Sequence, residues 1–329
     1  IAEGSLPMRY LGIPLITTRL SHMDCRVLVD KLVSRTSPWI SNSLSFGGRQ
    51  LIASVLFSIQ VFWCNTFVLP VAVTKECDRI MRSFLWHGVG TSKKGGKIAW
   101  SKVCRPKATG GLGFRDSRSW NRAAIMKIGW DISPVTKACS WSWRNILQAR
   151  RYLSQSVLYE VRDGNSFSLW HDPWVFGASI VNRFGERVIY DSGIPRNSLI
   201  SRVIREGMWE WPTTSCDLLE LNNITAAIPL PAGRDKVHWM KKGGIFSLQQ
   251  AWLSLIPHSP VVPWAKVVWF PKRIPKHSFC LWLTFCNGHK TLDKLHSIGL
   301  SHSDTCIFGC GQRETINHLF FSCPFTASI

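Results

Sequence analysis

Apolar residues recur along most of this chain at steps of three and four, broken by short polar and glycine-bearing stretches. Val27, Leu28, Lys31, Leu32 and Arg35 predict a helix begun near Asp24. After the Gly47-Gly48 pair, Leu51, Ile52, Val55, Leu56, Ile59, Phe62 and Trp63 predict a long helix with a wide apolar face. Pro70 ends that segment, and Cys77, Ile80, Met81, Phe84 and Leu85 predict a third helix stopped by Gly88. Trp120, Ala123, Ala124, Lys127 and Trp130 carry the same period over 118–130.

Strand signals are shorter. Residues 6–16, LPMRYLGIPLI, predict a short strand entering a turn, with Gly12 and Pro14 as breakers. Residues 91–115, TSKKGGKIAWSKVCRPKATGGLGFR, predict loop, strand and loop. Their GGLG has neither the buried strand before it nor the Gly-Lys-Ser/Thr of a phosphate loop, so it reads as tight turns beside a basic surface. In YEVRDGNSFSLWHDPW two β-prone runs flank Asp163-Gly164 and predict a hairpin, and VHWMKKGGIFSLQQAW has a Gly-Gly turn before a helix start. Residues 177–235 are mixed, punctuated by Pro195, Pro212, Pro229 and Pro231, and suggest no site. Boundaries near Arg150 and in PHSPVVP (257–263) divide the chain into 1–150, 151–256 and 264–329. The fold class expected is α+β, mainly helical.

A chain of 329 residues with 45% apolar content can bury a sizeable core, which excludes a disordered chain. Its longest apolar stretch, LIASVLFSIQVFWCNTFVLP, is interrupted by Ser54, Ser58, Gln60 and Asn65, so no membrane span is expected. The eleven cysteines are odd in number and show no paired framework, and no charged-then-apolar leader stands at the N-terminus. They read as reduced thiols of a protein of nucleus or cytoplasm, not secreted.

Charge narrows the partner. Forty Lys and Arg against twenty Asp and Glu leave a formal +20. Nine basic residues and no acid lie between Asp78 and Asp116, and eight and no acid between Asp235 and Asp293. Such faces either keep a protein soluble or meet a polyanion, and the length of the acid-free stretches favours nucleic acid. Most of the seventeen tryptophans, including Trp63, Trp86, Trp120, Trp130, Trp269 and Trp282, fall on apolar faces and are expected in the core.

One stretch near the C-terminus carries specific chemistry: CIFGCGQRETINHLFFSC, residues 306–323. Cys306 and Cys310 are separated by three residues with Gly309 among them, His318 follows after seven, and Cys323 after four more. On an uninterrupted helix His318 and Cys323 would diverge by about 140°. A helix begun near Thr315 must therefore end before Cys323, and Pro324 disfavours a helical conformation there. A Cys3His set would then satisfy one structural zinc ion with no open position. The alternative is buried free thiols near a core histidine, and His302 and Cys286 are the nearest substitute ligands.

Further segments carry a resemblance. GGRQLIASVLFSIQVFW, FLWHG, KIAWSKVCRPKATGGLGFRDSRSWNRAAIMK, DGNSFSLWHDPW, VWFPKRIPKHSFCLW and CIFGCGQRETINHLFFSCPF resemble successive segments of the C-terminal half of LINE-like (non-LTR) retrotransposon reverse transcriptases, and LPMRYLGIPL resembles the segment that leaves the palm. The resemblance implies a helical thumb-like region, a mixed α/β connecting region and a small C-terminal zinc-binding domain. It also implies RNA or DNA as partner, together with the palm and fingers of a longer polyprotein. The family often has two residues between its first two zinc cysteines, and this chain has three. The family's polymerase needs an adjacent Asp-Asp pair to hold metal ions. No such pair occurs here, and Glu76-x-Asp78, the closest acidic couple, is expected on a helix surface.

The chain thus reads as a non-catalytic, nucleic-acid-binding and zinc-binding fragment of an RNA-directed DNA polymerase. Phosphate contacts are expected from Lys93, Lys94, Lys97, Lys102, Arg105, Lys107, Lys272, Arg273 and Lys276. The alternatives are a cryptic metal-dependent nuclease or polymerase site built from acids such as Asp163, Asp172 and Asp191, or a decayed element remnant without selected activity.

Overall fold

The computed structural model describes residues 8–10, 12–15, 19–37, 46–88, 95–130, 157–239 and 243–328. The boundary expected near Arg150 lies outside them. The chain folds as two compact units: Ile1–Leu20 with Trp63–Val68 and Ser119–Leu255, and Ser21–Phe62 with Leu69–Arg118 and Ile256–Ile329. In chain order the described elements begin with β1 (Met8–Tyr10), β2 (Ile13–Leu15), α1 (Arg26–Thr36), α2 (Phe46–Thr66), α3 (Val71–His87), α4 (Trp100–Val103) and α5 (Ser117–Trp130). They continue with β3 (Val157–Glu160), α6 (Ile180–Phe184), α7 (Arg187–Ser192), β4 (Ile204–Arg205), β5 (Met208–Trp209), α8 (Cys216–Ala226), β6 (Lys236–Trp239) and α9 (Leu248–Leu255). Last come α10 (Ala265–Val268), α11 (Pro275–Phe285), α12 (Leu292–Ser297) and α13 (Pro324–Ala327). Among the described residues helices dominate and every sheet has two strands, as the α+β, mainly helical expectation requires. Among the described residues no helix is long and apolar enough to cross a membrane.

The first unit is built on tryptophan. Trp170, Trp174 and Trp211 sit in one buried cluster with Val161, Leu169, Ile180 and Leu218, so residues 177–235, which suggested no site, supply a core. Each indole N–H has an acceptor: Trp170 donates to the Pro195 carbonyl (3.1 Å), Trp174 to that of Leu169 (3.0 Å) and Trp211 to Thr225 Oγ1 (2.9 Å). A buried indole without such a partner would lose about 1–3 kcal/mol.

Two strand expectations for this unit are corrected. Pro14 does not break a strand but lies in β2, opposite Arg9 of β1, in a two-stranded ribbon where a missing N–H costs little. Asp163-Gly164 is not a hairpin turn. Its first arm, β3, pairs antiparallel with β6, Val157 opposite Trp239, while the second arm bonds Leu169 N–H to the Ser198 carbonyl (2.9 Å). The dipeptide is instead clamped: Asp235 accepts the N–H groups of Arg162 (2.7 Å), Gly164 (3.0 Å) and Ser166 (2.9 Å). Gly164 has φ +68°, and a Cβ there would lie 2.5 Å from the Ser201 nitrogen, so only glycine fits.

In the second unit α1 packs on α3, whose buried stripe runs Val73, Cys77, Ile80, Met81, Phe84 and Leu85. Gly88, in the left-handed region at φ +74°, closes α3 by donating its N–H to the Phe84 carbonyl (2.9 Å). α2 begins at Phe46, so Gly47 and Gly48 lie within it rather than before it. Among the described residues its buried face is rotated from the predicted one, with Phe57, Gln60 and Cys64 added. Leu56, Phe57, Trp63 and Cys64 are buried, while Val55 and Phe62 are about half exposed.

Residues 98–112 join the C-terminal region in one core. Ile98, Val103 and Leu112 pack with Leu85, Trp86, Val268, Phe279, Trp282, Leu283 and Cys286. The strand predicted in 91–115 is, among the described residues, the short helix α4 and a 3-10 turn at Lys107–Thr109. The GGLG glycines serve close packing. Trp282 donates its indole N–H to the Gly110 carbonyl (3.0 Å), and a Cβ on Gly111 would fall 1.9 Å from the Arg105 carbonyl oxygen.

Asp78 also departs from expectation. Glu76 stays at the helix surface, paired with Arg79 (2.7 Å), but Asp78 turns inward and accepts from the Ser117 N–H (3.0 Å) and hydroxyl (2.6 Å) at the start of α5. Burial, reinforced by Asp116, pushes its carboxyl up to about 6 despite the Ser117 donors. The native state therefore holds this proton more tightly than the unfolded chain, so its contribution is complete below about pH 4 and is lost as pH rises through 6. Asp78→Asn should raise stability at pH 8 by about 2 kcal/mol and flatten the decline between pH 4 and 6. Urea unfolding at both ends of that range checks it, and an unaltered decline would count against the assignment.

Candidate metal centre

The cluster assembles from two turns. Cys306 and Cys310 lie on a tight loop closed by the Cys306 N–H donating to the Gln312 carbonyl (2.7 Å) and the Gly309 N–H to the Cys306 carbonyl (3.0 Å). Gly309 and Gly311 both take positive φ (71° and 76°), which is how three intervening residues fit where two often suffice. The second turn starts where Thr315 Oγ1 accepts the His318 N–H (3.1 Å). It then widens over His318–Ser322, with the Cys323 N–H donating to the His318 carbonyl (2.7 Å). That bond spans five residues and brings position 323 back over 318, where an α-helix would send it away. Cys323 itself is extended (φ −71°, ψ 131°), and Pro324 opens α13, as the proline argument requires.

The donor atoms meet at one point. Cys306 Sγ and Cys323 Sγ are 3.9 Å apart, Cys323 Sγ and Cys310 Sγ 3.9 Å, and Cys310 Sγ and His318 Nε2 3.1 Å. All four lie within 4.8 Å of one another. Tetrahedral zinc with Zn–S bonds of about 2.3 Å places sulfurs roughly 3.8 Å apart, so the set fits one ion with no vertex left for a substrate. Among the described residues it is the one group of three or more His, Cys, Asp and Glu side chains able to hold a metal. Neither proposed substitute joins it: Cys286 lies in the core, its sulfur 3.9 Å from the Gly110 carbonyl, and His302 is exposed.

The surroundings act in opposite senses on two of the thiols. Burial pushes the Cys306 thiol up from its ordinary value. At Cys323 burial acts in the same sense, yet the N–H groups of Phe325 and Thr326 at the start of α13 outweigh it and hold that thiol down. Glu314, which sequence reasoning missed, is buried beside the loop. It accepts the Ile307 N–H at Oε2 (3.0 Å) and the Leu292 N–H at Oε1 (3.0 Å), tying the cysteine loop to α12. Through Ile307, the residue after Cys306, it fixes the backbone that carries the first of the four side chains. Nothing in the spacing of an acid between Arg313 and Thr315 marks it for burial.

The basic residues divide. Lys93 and Lys94 lie outside the described residues. Lys107 and Arg273, 166 positions apart, come together on Trp269, with Lys107 Nζ 5.1 Å and Arg273 Cζ 5.5 Å from its ring centre. Burial and then the neighbouring Arg273 hold the Lys107 ammonium below its ordinary value. Lys102 reaches the Cys286 thiol, and Lys97 acts on His289. Arg105 is half-buried, its carbonyl accepting the Gly113 N–H (2.9 Å), and Lys272 and Lys276 are exposed beside and at the start of α11.

Residues 246–329, which contain the whole cluster, match the family described as zinc-binding in reverse transcriptase. Two plant proteins give the nearer context. A putative ribonuclease H protein of Arabidopsis thaliana is 28% identical over 355 aligned positions, covering 94% of this chain and 56% of the relative. An uncharacterized mitochondrial protein of the same plant is 27% identical over 143 positions, covering 36% of this chain and 93% of the relative. The chain thus spans little more than half the length of the first relative.

Proposed function

We propose that the chain is the zinc-binding and nucleic-acid-binding C-terminal portion of an RNA-directed DNA polymerase of a LINE-like (non-LTR) retrotransposon. It performs no chemistry itself, and it holds template RNA or target DNA for a palm and fingers supplied by the rest of a polyprotein. The observation that carries this reading is the Cys306, Cys310, His318 and Cys323 group, whose donor atoms lie within 4.8 Å of one another and could hold one ion, inside the stretch similar to zinc-binding regions of reverse transcriptases. The formal charge of +20 and the two acid-free stretches support the nucleic-acid half. The first relative's name speaks of ribonuclease H, a chemistry that rests on clustered carboxylates. Our reading assigns no such site here. Asp163 accepts the Asp235 N–H (3.2 Å), Asp172 the Ser168 N–H (2.7 Å), and Asp191 faces Arg187 (3.7 Å), each in a local structural contact.

Salt dependence tests the reading. Affinity for labelled RNA or DNA should fall steeply as salt rises, with a slope of about 0.7–0.9 for each neutralised phosphate. Replacing Lys93, Lys94, Lys97, Lys102, Arg105 and Lys107 by Gln should flatten that slope by several units. An unchanged slope would remove these residues from the interface, and no binding at all would remove the function.

A further inference from the structure

We propose that the exposed rings of Phe285 and Phe321 on the second unit, with the half-buried Trp264 stacked against Phe285 and with Lys107 and Arg273 nearby, form a stacking platform for single-stranded nucleic acid. The inference rests on the nucleic-acid reading above and narrows it to unpaired strands.

Trp264 and Trp269 stand at the two ends of the short helix α10. Trp264 stacks on Phe285, the last residue of α11, at 5.0 Å and 2° between planes. Phe285 continues to Phe321 at 6.3 Å, inside the wide turn that carries His318 and Cys323. Phe285 is 38% exposed and Phe321 54%, an apolar surface that folding leaves in water. A contiguous patch of this kind marks a contact surface.

Charge decides what contacts it. The protein between Asp235 and Asp293, which supplies Trp264 and Phe285, has no acid. At the Trp269 end of α10, Lys107 and Arg273 are held over one ring. The 3-10 turn of Lys107 leads directly into Gly110, where a Cβ would lie 3.3 Å from the Trp264 ring, so the segment that carries Lys107 packs on the ring stacked against Phe285. Two cations placed together suit a phosphate, and the exposed parts of Phe285 and Phe321 suit flat partners. A single strand supplies phosphates and unstacked bases together, whereas a duplex keeps its base faces in its own stack. Because Phe321 lies between His318 and Cys323 in the chain, a bound zinc would also fix one end of the platform.

The test uses the full chain and two fluorescent probes, an oligothymidine of about 20 nucleotides and a duplex of equal length, read by anisotropy at one salt concentration. The double variant Phe285→Leu, Phe321→Leu keeps the apolar volume and removes the rings. It should weaken oligothymidine binding roughly 10- to 100-fold and change duplex binding less than about twofold, with zinc content unaltered. Phe285→Tyr, Phe321→Tyr should restore the single-strand affinity. Lys107→Gln, Arg273→Gln should weaken both probes. Neutral leucine variants, or equal losses on both probes, would overturn the platform while leaving the nucleic-acid reading standing. If the unaltered chain binds neither probe, both fall.

Discussion

Alanine at both His318 and Cys323 should take bound zinc from one ion per chain to none and release residues 306–328 from their folded state. Few apolar side chains hold this segment. Cys306, Ile316 and Cys323 are buried, but Ile307 is 74% exposed and Phe308, Phe321 and Phe325 are each about half exposed. Fixing a residue's backbone costs about 1–2 kcal/mol, which so small a buried set does not offset over some twenty residues. A structural zinc supplies on the order of 10 kcal/mol in comparable sites, so the segment's order depends on the metal. α11 should stay folded, because Phe279, Trp282 and Leu283 belong to the unit's main core. Elemental analysis of protein purified without added metal, paired with hydrogen exchange, separates the two regions. No zinc in the unaltered chain, or equal protection of 306–328 in both proteins, would defeat the assignment.

Trp282→Ala should cost about 4–5 kcal/mol, the largest expected loss from a single truncation. The side chain is fully buried, and its removal opens a cavity in a core that cannot collapse freely. It also strips the Gly110 carbonyl of its indole donor (3.0 Å). Trp282→Phe keeps most of the volume and loses that bond, so its cost should be nearer 1–3 kcal/mol. Urea midpoints with unchanged slopes would give both values. A loss under about 1 kcal/mol for the alanine variant would mean that Trp282 does not hold the two segments together.

Local patterns were legible where local forces decide. α3 follows from a clean three-four period with Pro70 before it and Gly88 after it. The meeting of Cys306, Cys310, His318 and Cys323 follows from their spacing together with the effect of Pro324 on Cys323. What stayed hidden depends on partners distant in sequence. β3 takes β6 as its partner across some seventy-five residues, which no hairpin signal at Asp163-Gly164 could reveal. α4 is four residues long, too short for periodicity to distinguish helix from strand. Asp78 is drawn inward by Ser117, thirty-nine positions on, and Glu314 by N–H groups at Leu292 and Ile307. The meeting of Lys107 and Arg273 on Trp269 has no sequence signature either, since each residue alone is one charge among forty.

The bond from Trp282 to Gly110 closes over 172 positions. A ribosome adding about 5–20 residues each second would need on the order of ten to thirty seconds to supply the tryptophan after the glycine has been made. During that interval Leu85, Ile98, Val103 and Leu112 await the C-terminal half of their core. The nascent protein therefore presents a sticky, half-built surface throughout that interval, and chaperone demand should depend on how quickly the codons between Gly110 and Trp282 are read.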